Sequence, residues 1–144
     1  MFARGVLRFT SSGQVRSDGQ YRQMAMQSGV FGRTAYALDV DYQHNNGVRA
    51  NKDLDRLELY TQLKQQLTDA DTVLLLLKFE DYDAGDNFQY QYPTNLRPSF
   101  RFTEHQHPIA YGLWRHDWSF GFQTLAAVSR LANEQHFSDS QTSN

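Results

Sequence analysis

The sequence predicts an all-β fold, an antiparallel up-and-down meander of about seven to eight long strands that is part of a transmembrane β-barrel. Three observations predict it. Apolar and polar residues alternate with a period of two over long stretches, which sends them to opposite faces of a strand. Several of these stretches reach the ~9–11 residues a membrane-spanning strand needs, beyond the ~5–6 usual in soluble proteins. The connections alternate between short and long, as they do in barrels with short turns at one end and longer loops at the other.

The elements follow in order. Phe2 to Thr10 reads as a strand, with Ala3, Gly5, Leu7 and Phe9 against Phe2, Arg4, Val6 and Arg8. Ser11 to Gly19 reads as a polar connection. Gln20 to Gln27 is a weaker strand, and Ser28, Gly29 and Gly32 mark a turn. In Thr34 to Gln43, Tyr36, Leu38, Val40 and Tyr42 alternate with Ala35, Ala37, Asp39, Asp41 and Gln43. His44 to Asp53 is a polar loop in which Asn45-Asn46-Gly47 supplies left-handed backbone geometry.

The hairpin from Arg56 to Glu80 is the clearest unit. Leu57, Leu59, Thr61 and Leu63 fall on one face, and Arg56, Glu58, Gln62, Lys64 and Gln66 on the other, with Tyr60 the large exception. A helix over Asp53 to Leu67 is the alternative, capped by Asp53. At about 100° per residue, however, Leu54, Leu57, Leu59 and Leu63 do not gather into one stripe. Thr68 to Asp71 reverses the chain into Thr72 to Glu80, where Leu74 and Leu76 interrupt the polar face.

Tyr82 to Pro98 reads as a long loop, with a short strand at Gln89 to Tyr92. Phe100 to Thr103 is extended and Pro108 ends that stretch. Ile109 to Trp118 is a strand of mixed faces: Ile109, Tyr111, Leu113 and Arg115 against Ala110, Gly112, Trp114 and His116. Ser119 and Gly121 form a tight turn, Gln123 to Asn133 is the last strand, and Glu134 to Asn144 is a polar tail. Tyr36, Tyr42, Tyr82 and Trp118 stand near strand ends, where barrels carry aromatic girdles.

Composition bounds the function. The 144 residues carry a net charge of −2, which implies neither nucleic acid nor an anionic surface as partner. Without cysteine there is no disulfide scaffold and no thiolate metal site. The longest apolar run, Val73 to Leu77, is far short of the roughly 20 residues of a spanning helix. The first ten residues lack the apolar core and cleavage site of a secretory signal. Closed bacterial barrels have at least about eight strands. The expectation is therefore one barrel segment over residues 1–144, continued by the remaining strands of a longer barrel or by other copies.

Tyr36 to Asn51 (Y-x-L-D-V-D-Y-Q-H-N-N-G-V-R-x-N), L-x-L-Y-T-Q-L-K-Q-Q-L and D-Y-D-A-G-D-N-F-Q-Y resemble the barrel regions of porin-like and TonB-dependent-receptor-like outer-membrane proteins. Arg97 to Pro108 and Trp114 to Leu125 resemble more narrowly the C-terminal barrels of tetratricopeptide-repeat outer-membrane proteins, with Phe120 where those would carry proline. The resemblance implies a bacterial outer-membrane location, lipid as a partner, and a role in the wall of a pore or an export channel. The competing class is a soluble β-sheet module for binding or surface adhesion.

Asp39, Asp41, Arg56, Glu58, Lys64, Lys78 and Glu80 are the candidate lumen-lining residues. In a lumen they would screen solutes by charge, or else pair with one another and merely satisfy a wet interior. Asp81, Asp83, Asp86 and Asn87 form an oxygen-rich loop. An EF-hand would need Gly at position six and Glu at twelve, where Asp86 and Tyr92 stand, so a solvated external loop is the plainer reading. His105 and His107, beside Glu104, have the i, i+2 spacing of a zinc pair, with His116 as a distant third ligand. No metal site, cofactor or enzymatic role is expected, since no G-x-S-x-G, H-E-x-x-H or phosphate loop occurs.

Overall fold

The alternating stretches pair with their sequence neighbours. The computed structural model describes residues 5–17, 19–87 and 97–140. Its strands are β1 (Val6–Val15), β2 (Tyr21–Phe31), β3 (Thr34–Asn45), β4 (Leu54–Gln66), β5 (Asp71–Ala84), β6 (Arg101–Ser119), β7 (Phe122–Arg130) and β8 (Glu134–Ser138). They form one antiparallel sheet in the order β1-β2-β3-β4-β5-β6-β7, with β8 also on β6. β7 pairs with Ala110–Ser119 and β8 with Arg101–His105, both antiparallel. The two therefore lie end to end along one edge of β6, and eight strands fill seven positions. β1 and the β7/β8 edge do not meet, so the sheet is open.

The reversals at 32–33, 67–70 and 120–121 fall at one end of the sheet, and the longer connections 16–20, 46–53 and 85–100 at the other. Gly32 supplies a positive φ (55°) at the first central position of its two-residue turn, as a tight hairpin turn requires. Gly121 supplies it (φ 78°) at the second central position of the β6–β7 turn. Phe120 occupies the first without a left-handed backbone, a geometry that proline also accepts.

Register carries the side chains to two distinct faces. The row Leu7, Gly29, Tyr36, Leu63, Leu75, Gly112, Val128 lies on one. Leu38, Val40, Leu57, Leu59, Val73, Leu77 and Phe79 share it. The opposite face carries Asp41, Glu58, Glu80 and Gln106 in one row. In β3 and β5 the exposed residues, Leu38, Tyr42, Leu75, Leu77 and Asp81, all lie on the leucine face. On these two strands the sheltered face is the charged one, whereas Met24 and Met26 of β2, on that same face, are exposed. Ala84 and Phe102 are the only buried hydrophobic residues among those described, so the described residues hold no two-layer core.

Several boundaries differ from the sequence expectation, each for a physical reason. Ser28 and Gly29 do not turn; they stay in β2, where Gly29 is buried under the Tyr36 ring. A Cβ there would stand 2.6 Å from Tyr36 Cε1. Ser11 to Val15 continue β1, because their partners Tyr21 to Ala25 offer a complete ladder. β5 runs on through Tyr82 to Ala84, and Glu134 to Ser138 add a strand to β6 where a tail was expected. Tyr82 faces away from the leucine band and packs on Phe102, with ring centroids 5.5 Å apart, so it is no part of a girdle on that band. The segments expected at Phe2 to Arg4, Gln89 to Tyr92 and Gln141 to Asn144 lie outside the described residues.

Pro108 does not end a strand. β6 passes through it with a bulge, since Lys78 pairs with Ile109 but Glu80 with Gln106. A bulge is where a residue without an N–H can sit inside a sheet. The extra residue reverses the parity of β6. Thr103 and His105 lie on the leucine face before it, and Ala110, Gly112, Trp114 and His116 after it. Ile109, Tyr111 and Leu113 are thereby turned to the charged face.

Candidate functional site

All seven candidate residues fall on the sheltered face, spread over β3, β4 and β5. The alternation of each strand fixes that face, and the neighbours' register brings the charges into rows. Arg56, Glu58, Lys78 and Glu80 close into a ring. Arg56 pairs with Glu58 and, at 3.0 Å, with Glu80; Lys78 Nζ lies 3.5 Å from Glu58 and 3.2 Å from Glu80. Asp41 is clamped by the Arg22 guanidinium at 3.0 and 2.6 Å, a bidentate pair. Arg22 was not among the sequence candidates; its period-two position opposite Gln23 was the available signal. Asp39 and Lys64 share the face but join no ion pair among the described residues. Arg22, Arg56 and Lys78 therefore offset Asp41, Glu58 and Glu80 over three adjacent rows, and of the seven candidates Arg56, Glu58, Lys78 and Glu80 pair with one another.

A second constellation ties the long connections together. Asp86, expected in a solvated loop, is 2% exposed. Its backbone N–H donates to the Asn51 carbonyl at 2.6 Å, and its carboxylate lies 3.8 Å from Arg49 and accepts from the Arg97 N–H. Asn51 Nδ2 donates to the carbonyls of Arg97 and Phe100, and its own φ is positive (55°). Asn87 donates to the Asp53 carbonyl at 2.9 Å. Arg101 bridges Asp53 and Asp83. Gly85 has no room for a side chain against Asn51. These carboxylates meet guanidinium groups and backbone N–H donors, and no group of three metal-ligating side chains occurs among the described residues. Arg49, Asn51, Asp53, Arg97 and Arg101 were not legible as partners of the acidic loop, because the pairing joins connections up to 49 residues apart.

The histidines separate. His105 stands 3.5 Å from Asp81, and its ring meets that of His107 edge-on at 5.5 Å. His116 is at the other end of β6, 2.7 Å from Asp71, which also accepts from Trp114 Nε1 at 3.1 Å. It cannot serve as a third ligand to the first two. His44 and Asp55 lie one row beyond Tyr42 and Leu57, outside the apolar band at the long-connection end. Their contact is 2.6 Å. Hydrogen bonds to Asp55 and then to Asn46 raise the His44 pKa above its ordinary value.

The arrangement offers a neutralised polar wall, an uncovered apolar wall and a clasped loop end. No family model, no curated protein and no solved structure matches this chain.

Proposed function

We propose that this sheet is a segment of the wall of a bacterial outer-membrane β-barrel, with its leucine face to lipid and its charged face to a watery interior. On this reading it contributes to a pore or an export channel and performs no chemistry of its own. The observation that carries the reading is the uncovered band on β5. Val73, Leu75, Leu77 and Phe79 face outward between Asp71 and Asp81, and Leu75 and Leu77 are 47% and 48% exposed. Ten steps of about 3.4 Å, tilted by about 40°, give a height of about 26 Å, against the ~25 Å apolar band of such barrels. A soluble monomer rarely leaves so contiguous an apolar face open. The paired charges on the other face suit a wet interior, and the alternation of short and long connections suits the two sides of a membrane.

Membrane flotation tests the proposal. The protein should float with phosphatidylcholine vesicles after a urea wash, and should change gel mobility on boiling. A chain that is monodisperse in plain buffer and stays with the soluble fraction refutes it. The second reading, a soluble binding or adhesion sheet, is favoured by Leu74 and Leu76, which face Leu113 and Tyr111 on the charged side.

A further inference from the structure

We infer that the charged face carries a binding groove for a small organic cation, centred on Asp39. The groove has a volume of about 270 Å³ and is lined by Thr10, Met24, Met26, Asp39, Asp41 and Tyr60. Glu58 borders it as well. The three carboxylates are not equivalent. Asp41 is held by both arms of Arg22, and Glu58 by Arg56 and Lys78. Asp39 has neither an ion pair nor a side-chain hydrogen bond among the described residues.

Its surroundings select the ligand class. Directly across from Asp39 stand Met26 on β2 and Tyr60 on β4. One strand further in the same row are Thr10 and Lys78, and the Lys78 ammonium is turned to Glu58 and Glu80. A divalent metal needs several free oxygen ligands, and two of the three carboxylates here are taken by cationic side chains. An organic cation needs one free carboxylate for its charge. It also gains from an aromatic ring and polarisable thioethers against its apolar body. Charge complementarity at Asp39 with Tyr60 and the two methionines around it meets that requirement. The inference depends neither on closure of the sheet nor on lipid at its other face.

Met24 and Met26 are two of the three methionines in the chain, the third being Met1. Methyl-¹³C methionine NMR of the protein in detergent micelles therefore reads the groove through two of only three methyl signals. The probes are choline and 3,3-dimethylbutan-1-ol, its uncharged isostere. Choline should shift the Met24 and Met26 methyl resonances saturably, and the alcohol should not. Asp39→Asn should weaken the apparent affinity about tenfold, the loss of one half-buried charge pair. Lys64→Gln on the same face should leave it unchanged. An absent or unsaturable shift, an equal response to the alcohol, or undiminished binding in Asp39→Asn overturns the inference. The two-probe comparison on the unmodified chain decides it even if the variant does not fold.

Discussion

Leu75→Arg combined with Leu77→Arg separates a lipid-facing sheet from one that meets water. Leu75 lies four residues from Asp71, and Leu77 four from Asp81, so both sit near the middle of the outward band. Their neighbours across the ladders are Leu63 and Gly112 for Leu75, and Thr61 and Ala110 for Leu77. Neither position packs into a core. In a bilayer, arginine at mid-depth on the lipid face of a barrel costs about 2–4 kcal/mol. The pair should therefore cost up to about 4–8 kcal/mol, and less if the two share one membrane defect. That is comparable with the ~5–15 kcal/mol of total stability of a folded chain, so the double variant should fail to insert. In water, substitutions at such half-exposed positions stay within about 0.5 kcal/mol. Urea unfolding of the vesicle-reconstituted protein, followed by the fluorescence of Trp114 and Trp118, measures the difference. Leu76→Gln, one residue along on the sheltered face, should cost less than Leu75→Arg. A Leu75→Arg penalty below about 0.5 kcal/mol in vesicles, or a larger penalty at Leu76, refutes the orientation.

Two further outcomes follow from the long-connection end. Gly85→Ala should loosen the clasp, because a methyl group there overlaps the Asn51 carbonyl. The hydrogen bonds from Asp86 N–H to Asn51 and from Gly85 N–H to Asp53 would lengthen. At about 1 kcal/mol each their loss is about 2 kcal/mol, read as faster hydrogen exchange at the Asp86 amide; unchanged exchange contradicts it. The His44–Asp55 pair should give a pH dependence of defined sign. The folded His44 pKa is raised, so its stabilising effect is full below the ordinary imidazole value of about 6.5 and is lost as pH rises through the raised value. The urea midpoint should fall across that window, and His44→Gln should remove the fall.

How much was legible depended on whether the signal was local. Period-two alternation placed Asp39, Asp41, Arg56, Glu58, Lys64, Lys78 and Glu80 on one face, since side-chain direction in a strand depends only on parity. The central hairpin and the short turns followed from local residues for the same reason. Gly29 misled because a glycine under an aromatic ring and a glycine in a turn look alike in sequence. Pro108 misled because the ladder it was expected to end takes a bulge, and the bulge is visible only in the pairing of Lys78 and Glu80. Glu134 to Ser138 have no apolar alternation; they become a strand because the far half of β6 offers an unpaired edge. The clasp around Asp86 was out of reach, since its partners Arg49 and Asn51 come from a different connection.

The bulge also recasts Leu74 and Leu76, the residues that fit the charged face least well. By reversing the parity of β6 it sets Leu113 directly across from Leu74 and Tyr111 directly across from Leu76. Leu125 and Ala127 extend the patch on β7. The sheltered face is therefore divided: an ion network toward the long connections and a compact apolar patch toward the short turns. This patch and the leucine band lie on opposite sides of the same sheet. A soluble fold built on it needs a second layer on each side, one of them spanning the full width of the band. A barrel wall needs lipid on the outside and leaves only a small inner patch at the wet lumen, where Leu74 and Leu76 are already half-buried by their own neighbours. The second arrangement leaves less to be supplied by other protein, and it confines the unmet requirement to the few residues around Leu74 and Tyr111. Leu76→Gln tests this directly, because removing an apolar group from an already wet lumen costs little, whereas removing it from a protein core costs the full burial of its side chain, about 2–3 kcal/mol.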